Sequence, residues 1–291
     1  MRGARWLIDS LRDKLPFDKS LGQHFLVNDD LIARAVELGE LTPDDHVLEI
    51  GPGPGVLTEV LLATGCKVTA IEIDSVAVTH LNEAFGPEQQ TEQFTLLEGD
   101  ALNVKWPDSI TKVVANIPYQ ISSPLVDVLT RYLRNPRTSV LQRVVLLVQE
   151  EFAERLVMEY ESDVGSLGMT VALDWKSEIE EKIPPHNFSP MPKVNSCYIS
   201  MEPHGEEWPC DARLVRQMIH LAFDQRRKKL RSTLKNVPRR LGRVKGWHAG
   251  RWKQAFAAHL EDERMDLRPD ELELDDWVEL CSSFSEFVFE S

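Results

Sequence analysis

The chain has 291 residues, 42% of them apolar, and carries 33 Lys+Arg against 47 Asp+Glu for a formal net charge of -14. This length exceeds the usual single domain, so one large domain with a smaller one attached is expected. The densest apolar run, 144–148, is far too short for the roughly 20 residues a bilayer crossing needs, and the amino terminus lacks the apolar stretch of a secretory signal, so a soluble, cytoplasmic protein is expected.

From about residue 46 to residue 150, Val- and Ile-rich runs alternate with helical patterns, as strand-helix-strand units of a parallel sheet do. Strands are predicted at 46–50, 67–73, 94–98, 112–116 and 144–149. Helices are predicted at 56–64, 75–85 and 122–133, and another at 150–160 after the fifth strand. Period alone leaves 167–175 undecided. Segments 177–183 and 195–201 read as two closing strands. A change of composition at His204-Gly205-Glu206-Glu207-Trp208-Pro209 sets the expected boundary between an α/β domain at 1–204, with an extension at 1–19, and a helical domain at 205–291.

Charge is unevenly spread. Between Arg213 and Lys253 stand 14 basic residues and one acid, Asp224, leaving 19 basic and 46 acidic residues elsewhere. A basic segment on an acidic body is the footprint of a region that docks on phosphates, although a solvated helix surface is the commoner meaning of a charge run. Cys66, Cys197, Cys210 and Cys281 form no Cys-x-x-Cys pair and have no histidines at ligand spacing, so neither a metal site nor a disulfide framework is expected.

Two motifs carry the chemistry. Glu49-Ile50-Gly51-Pro52-Gly53-Pro54-Gly55 is a strand end entering a glycine turn that lets backbone approach a nucleotide-like ligand. Its Gly-x-Gly-x-Gly spacing differs from the Gly-x-Gly-x-x-Gly of nicotinamide enzymes. Glu72, near the end of the second strand, is placed to accept both hydroxyls of a ribose. Asp100, just past the third, is placed to accept from an adenine amino group, with Ala101 or Leu102 lining the ring pocket. Each acid alone would read as a cap or a surface charge; the set of three supports a nucleoside site.

The second motif, Asn116-Ile117-Pro118-Tyr119, ends the fourth strand. An adenine amino nitrogen is a poor nucleophile because its lone pair is delocalised into the ring. The Asn116 side-chain oxygen and the carbonyl of Ile117 or Pro118 offer acceptors for its two hydrogens, and Tyr119 offers a face for the base. A target purine must be splayed out of its stack, and Phe188, in the Pro-stiffened loop 187–194, is the candidate for the opposite face of that clamp.

At this point the sequence resembles the ribosomal RNA small-subunit adenine dimethyltransferases of the KsgA type. The resemblance runs over roughly residues 20–235: Gly22-Gln23-His24-Phe25-Leu26, Glu49 to Gly55 with Leu57-Thr58, Glu72-Ile73-Asp74, Gly99-Asp100-Ala101, Asn116 to Tyr119, Gln149-Glu150-Glu151 with Arg155-Leu156, the Phe188 to Val194 loop, and Phe223-Asp224-Gln225-Arg226-Arg227-Lys228. It implies a Rossmann-like class I methyltransferase sheet with a small all-helical carboxy-terminal domain, and S-adenosylmethionine as the methyl donor. His24 and Leu26 would then cover the donor's methionine end, Gly51 and Gly53 lie beneath it, Glu72 take the ribose, Asp100 and Ala101 the adenine, and Asn116 touch the donor and reach the reacting nitrogen beside Pro118, Tyr119 and Phe188. Lys193, Arg226, Arg227, Lys228, Lys229 and Arg231 are the expected RNA contacts of a monomer acting on small-subunit rRNA or a pre-ribosomal particle, with two adjacent adenines near the 3′ end each methylated twice. Where the family has Tyr-Gly-Arg-Leu, this chain has Val164-Gly165-Ser166-Leu167, so no phosphate contact is inferred there. The alternatives weighed are a large-subunit rRNA methyltransferase, a non-catalytic rRNA-binding assembly factor and, disfavoured by the glycine spacing, a nicotinamide oxidoreductase.

Overall fold

The computed structural model describes residues 3–13, 24–138, 140–205 and 207–288. Gly22 and Gln23 of the first family motif, part of the 1–19 extension and Glu206 lie outside the described residues. The chain divides into two compact units, Met1–Ala153 with Lys176–Pro203, and Glu154–Trp175 with His204–Ser291.

The first unit opens with helix α1 (Ala4–Arg12), a short strand β1 (Phe25–Leu26) and α2 (Asp29–Gly39), the last started by Asn28, whose side chain accepts from the Asp30 and Leu31 N–H groups. Then come β2 (His46–Ile50), α3 (Val56–Ala63), β3 (Lys67–Glu72), α4 (Ser75–Ala84), α5 (Gly86–Gln90), β4 (Phe94–Glu98), β5 (Lys112–Asn116), α6 (Ser122–Leu133) and β6 (Arg143–Gln149). Helix α7 (Glu150–Val157) and α8 (Ser166–Ala172) follow, then β7 (Trp175–Ile183), β8 (Phe188–Ser189) and β9 (Ser196–Pro203). A seven-stranded sheet has the order β4-β3-β2-β5-β6-β9-β7. The pairs β2/β3, β3/β4, β2/β5 and β5/β6 are parallel, and β6/β9 is antiparallel. All five residues of β2 are buried, as continuous apolar strands covered on both faces require.

Sheet order reverses between β2 and β5, so the chain leaving their carboxyl ends opens a crevice at the site where ligands bind in open α/β sheets. That crevice receives Ile50 from β2, Glu72 from β3, Gly99 and Asp100 just past β4 and Asn116 from β5. Beside the main sheet, β1 and β8 form a two-stranded antiparallel ladder pairing Phe25 with Ser189 and Leu26 with Phe188. The extension preceding the first family motif is partly helical. In α1, Ala4, Leu7 and Ile8 are buried in the same apolar cluster as Leu26 and Phe188.

The second unit adds α9 (Ala212–Phe223), α10 (Leu230–Thr233), α11 (Ala249–Ala258) and α12 (Leu274–Glu286). Its core joins Leu214, Met218, Trp252, Trp277 and Phe284 to Met169 and Leu173. Here the structure departs from a single boundary near 204: residues 154–175 belong with the helical unit because the apolar side of α8 completes its core. The undecided stretch 167–175 is mostly this helix. Helix α7 ends at Val157, short of the expected 160, as Met158 adopts a left-handed φ of 57°.

Candidate active site

A cavity of about 270 Å³ at the carboxyl edge of the sheet, within the first unit, is lined by all of the residues expected to act in catalysis or hold the donor: His24, Leu26, Gly51, Gly53, Glu72, Asp100, Ala101, Asn116, Pro118, Tyr119 and Phe188. Leu102 does not line it. Its backbone N–H instead caps Asp100 Oδ1 at 2.9 Å, while Asn103 Nδ2 donates to Oδ2 at 2.5 Å, so the Asp100 carboxylate is fixed by its own turn.

The glycine turn is shaped by close approach. Gly53 has φ +55°, and a Cβ there would lie 2.8 Å from Phe25 Cε1, closer than real Cβ atoms come. Its N–H donates to Glu72 Oε2 at 3.0 Å, and the N–H groups of Ile73 and Asp74 both donate to Glu72 Oε1 at 2.9 Å. The expectation of a bidentate acceptor for a ribose is therefore narrowed. Three lone-pair sites already hold the loops, and Oε2 keeps the remaining accepting capacity. Burial is the largest influence on this carboxyl and raises its pKa, opposed by those same donors.

One ionisable lining residue received no role from sequence reasoning. Glu49 is an acid inside a buried strand, fully enclosed apart from its edge on the cavity, and its Oε2 accepts from Thr58 Oγ1 at 2.6 Å. Burial pushes its pKa up to about 8, and nearby Glu72 adds to the rise. The signal was visible as a lone carboxyl in the otherwise apolar run HVLEI.

On the far wall, Asn116 presents a buried Oδ1 that has no hydrogen-bond partner, an arrangement that costs stability unless a ligand supplies a donor. The Tyr119 hydroxyl shares a 2.7 Å hydrogen bond with Ser196 Oγ, and burial raises its pKa. The ring stacks with His24 at 5.9 Å between centroids and 22° between planes, and His24 Nδ1 is 2.8 Å from the Pro190 carbonyl oxygen. Phe188 is buried, and what fixes it is the β1/β8 ladder as well as its proline-flanked loop. Val27 N–H donates to the Asn187 carbonyl at 2.9 Å, Asn28 Nδ2 donates to Asn187 Oδ1 at 2.9 Å, and Arg12 Nη2 at the end of α1 donates to Ser189 Oγ at 2.5 Å. Sequence reasoning had no route to Arg12, because a contact spanning 177 residues leaves no local trace.

The expected RNA contacts are not equivalent. Lys193, Arg227 and Lys228 are exposed. Arg226 instead donates to Asp270 Oδ2 at 3.0 Å and to the Ser162 carbonyl at 3.2 Å, while Lys229 and Arg231 share Asp266 at 3.0 and 2.5 Å. These three are paired with carboxylates, a feature that the sequence reading did not anticipate.

The sheet order, its antiparallel β9 and the glycine turn facing Glu72, Asp100 and Asn116 across one cavity define a class I methyltransferase. More narrowly, the chain belongs to the ribosomal RNA adenine dimethylase family, whose model matches residues 15–243. It is 36% identical over 285 residues to a ribosomal RNA small subunit methyltransferase A of Synechococcus elongatus, spanning 94% of this chain and 96% of the relative. A relative of the same name from Synechocystis sp. is 39% identical over 244 residues, 75% of this chain and 83% of its own. Among solved structures, a dimethyladenosine transferase from Plasmodium falciparum superposes with a TM-score of 0.76 at 25% identity, covering 90% of this chain and 98% of that one. The 23S rRNA methyltransferase ErmE gives 0.62, also at 25% identity, covering 90% of this chain and 100% of that one.

Proposed function

We propose that this protein dimethylates the amino nitrogens of two adjacent adenines near the 3′ end of small-subunit rRNA, using S-adenosylmethionine, as a monomer acting in the cytoplasm during ribosome biogenesis. The observation that carries the reading is the unpartnered Asn116 Oδ1, buried in the wall of a cavity whose floor is the Gly51–Gly55 turn. An amide oxygen held without a donor suits an incoming N–H. The glycine turn, held at positive φ where it lines the cavity, suits a nucleoside.

When bound, S-adenosylmethionine supplies an electrophilic sulfonium methyl. The protein's part is alignment and dipoles. Gly51 and Gly53 leave room for the donor, Glu72 Oε2 offers an acceptor to its ribose, and Asp100 and Ala101 meet its adenine. Asn116 Oδ1 accepts one hydrogen of the target amine. The Pro118 carbonyl already accepts from the Ile121 N–H at 3.1 Å, which favours the Ile117 carbonyl as second acceptor. Together they orient the nitrogen lone pair and stabilise the positive charge that grows on it as the bond to carbon forms. Tyr119 and Phe188 hold the splayed ring.

The test is transfer of labelled methyl to immature small subunits, with mass spectrometry of the two adenines and large-subunit rRNA in parallel. Asn116→Ala is expected to lower kcat by about 10²–10³, leaving rRNA binding intact. Unmodified adenines with the wild-type protein on competent particles would favour a binding factor. Labelling of the large-subunit RNA alone would favour the other methyltransferase.

A further inference from the structure

The residues 225–260 contain no acid; Arg227, Lys228 and Lys253 are exposed with no ion pair among the described residues, and most of the other cations fall into two groups. Arg226 is paired with Asp270, and Lys229 and Arg231 share Asp266, carboxylates 35 to 44 positions away in sequence. The next five, Lys235, Arg239, Arg240, Arg243 and Lys245, are all exposed, and among the described residues none has an ion-pair partner. The backbone explains why they stay apart from carboxylates. Consecutive three-residue turns run through this stretch, with N–H groups of Leu241, Val244 and Trp247 donating to the carbonyls of Pro238, Leu241 and Val244 at 3.1, 2.9 and 3.1 Å. At three residues per turn the side chains eclipse. Pro238, Leu241, Val244 and Trp247 are buried, while Arg239, Arg240 and Arg243 between them are exposed. Arg251 is spent otherwise, its guanidinium 4.5 Å from the Trp247 ring centre and bonded to the Gly246 carbonyl at 3.0 Å. The family match ends at residue 243, inside this run.

We propose that the turn-anchored run 235–245, together with the exposed Arg227 and Lys228, is the phosphate-docking surface of the helical unit, binding the backbone of structured RNA, and that the paired residues Arg226, Lys229 and Arg231 serve mainly to hold the unit together. The proposal rests on the reading of this protein as an rRNA enzyme. Apolar pegs fix the backbone while unpaired guanidinium groups face water, so docking on phosphate requires no ion pair to be broken and orders little chain. The paired cations would each have to surrender a carboxylate first.

The test compares affinity for transcribed small-subunit rRNA as a function of salt in full-length variants. Each phosphate contact contributes about 0.7 to 0.9 to the log–log slope. Combined substitution R239Q/R240Q/R243Q is expected to flatten the slope by about 2 and weaken binding on the order of 10- to 100-fold at 0.1 M salt. The lysine triple R239K/R240K/R243K is expected to restore most of the slope, because phosphate docking needs charge, and both triples should keep the wild-type circular dichroism. K229Q/R231Q is expected to lower the melting temperature while changing the slope by less than 1. An unchanged slope in the glutamine triple overturns the inference, as does a larger change in K229Q/R231Q. A wild-type protein whose rRNA affinity is itself weak and insensitive to salt would instead overturn the rRNA reading. Loss of binding to ribosomal particles with no change toward naked rRNA would assign the surface to a protein partner and also overturn the proposal.

Discussion

Replacing Glu49 by Gln tests the electrostatics of the cavity floor through stability alone. Glu49 lies within β2 at 1% exposure, and its pKa is pushed from an ordinary 4.5 to about 8. The native state therefore retains a proton that the unfolded chain gives up above pH 4.5. By proton linkage, stability is unaffected by this group below 4.5, falls as pH rises from there to 8, and is fully reduced beyond. With about 1.4 kcal/mol per pH unit, the accumulated cost approaches about 5 kcal/mol above pH 8 as an upper bound. Gln keeps the oxygen that accepts from Thr58 Oγ1 and cannot ionise. Its second amide hydrogen adds a constant offset, so the pH slope is the quantity to read. Urea denaturation of both proteins at pH 5, 7 and 9, at constant m-value, is expected to show the stability difference moving in favour of the Gln variant with rising pH and levelling off near pH 9. Curves that run parallel from pH 5 to 9 would refute the reasoning, because the native carboxyl would then titrate as it does in the unfolded chain.

Two further substitutions probe how the site is held. Gly53→Ala adds a Cβ 2.8 Å from Phe25 Cε1 at φ +55°, and left-handed alanine costs roughly 1 kcal/mol before any displacement of the ring. Calorimetry is expected to show affinity for S-adenosylmethionine at least tenfold weaker, and unchanged affinity would mean that the turn does not approach the donor. Arg12→Ala removes the donor to Ser189 Oγ beside Phe188 and is expected to lower kcat several-fold, with donor affinity unchanged and part of the rate recovered in Arg12→Lys. Wild-type kcat would restrict α1 to a packing role.

The sheet was readable because its strands are covered on both faces, which forces unbroken apolar runs such as KVVAN and RVVLLVQ and fixes where the crevice falls. The cavity residues were readable for a related reason: they sit immediately after those strands, so locating a strand end located Gly51, Asp100 and Asn116. What escaped detection depends on partners distant in sequence. The β1/β8 ladder is two residues long on each side and has no period to detect. The placement of 154–175 is decided by Met169 and Leu173 meeting side chains beyond residue 213. The charge count of 213–253 was correct, yet it could not tell a cation paired with Asp266 from one facing solvent, since the carboxylates enter from a later turn. Glu49 was passed over for the opposite reason, as its neighbours make it look like one more strand position.

The helical unit is written into the polypeptide in two instalments, with β7 to β9 of the other unit between them. A recombinant fragment cut at His204 would omit α8 and leave the surface normally met by Met169 and Leu173 bare to water, inviting self-association. During translation the same arrangement imposes a delay: the first instalment emerges early and must remain uncommitted until α9 has been synthesised some forty residues later.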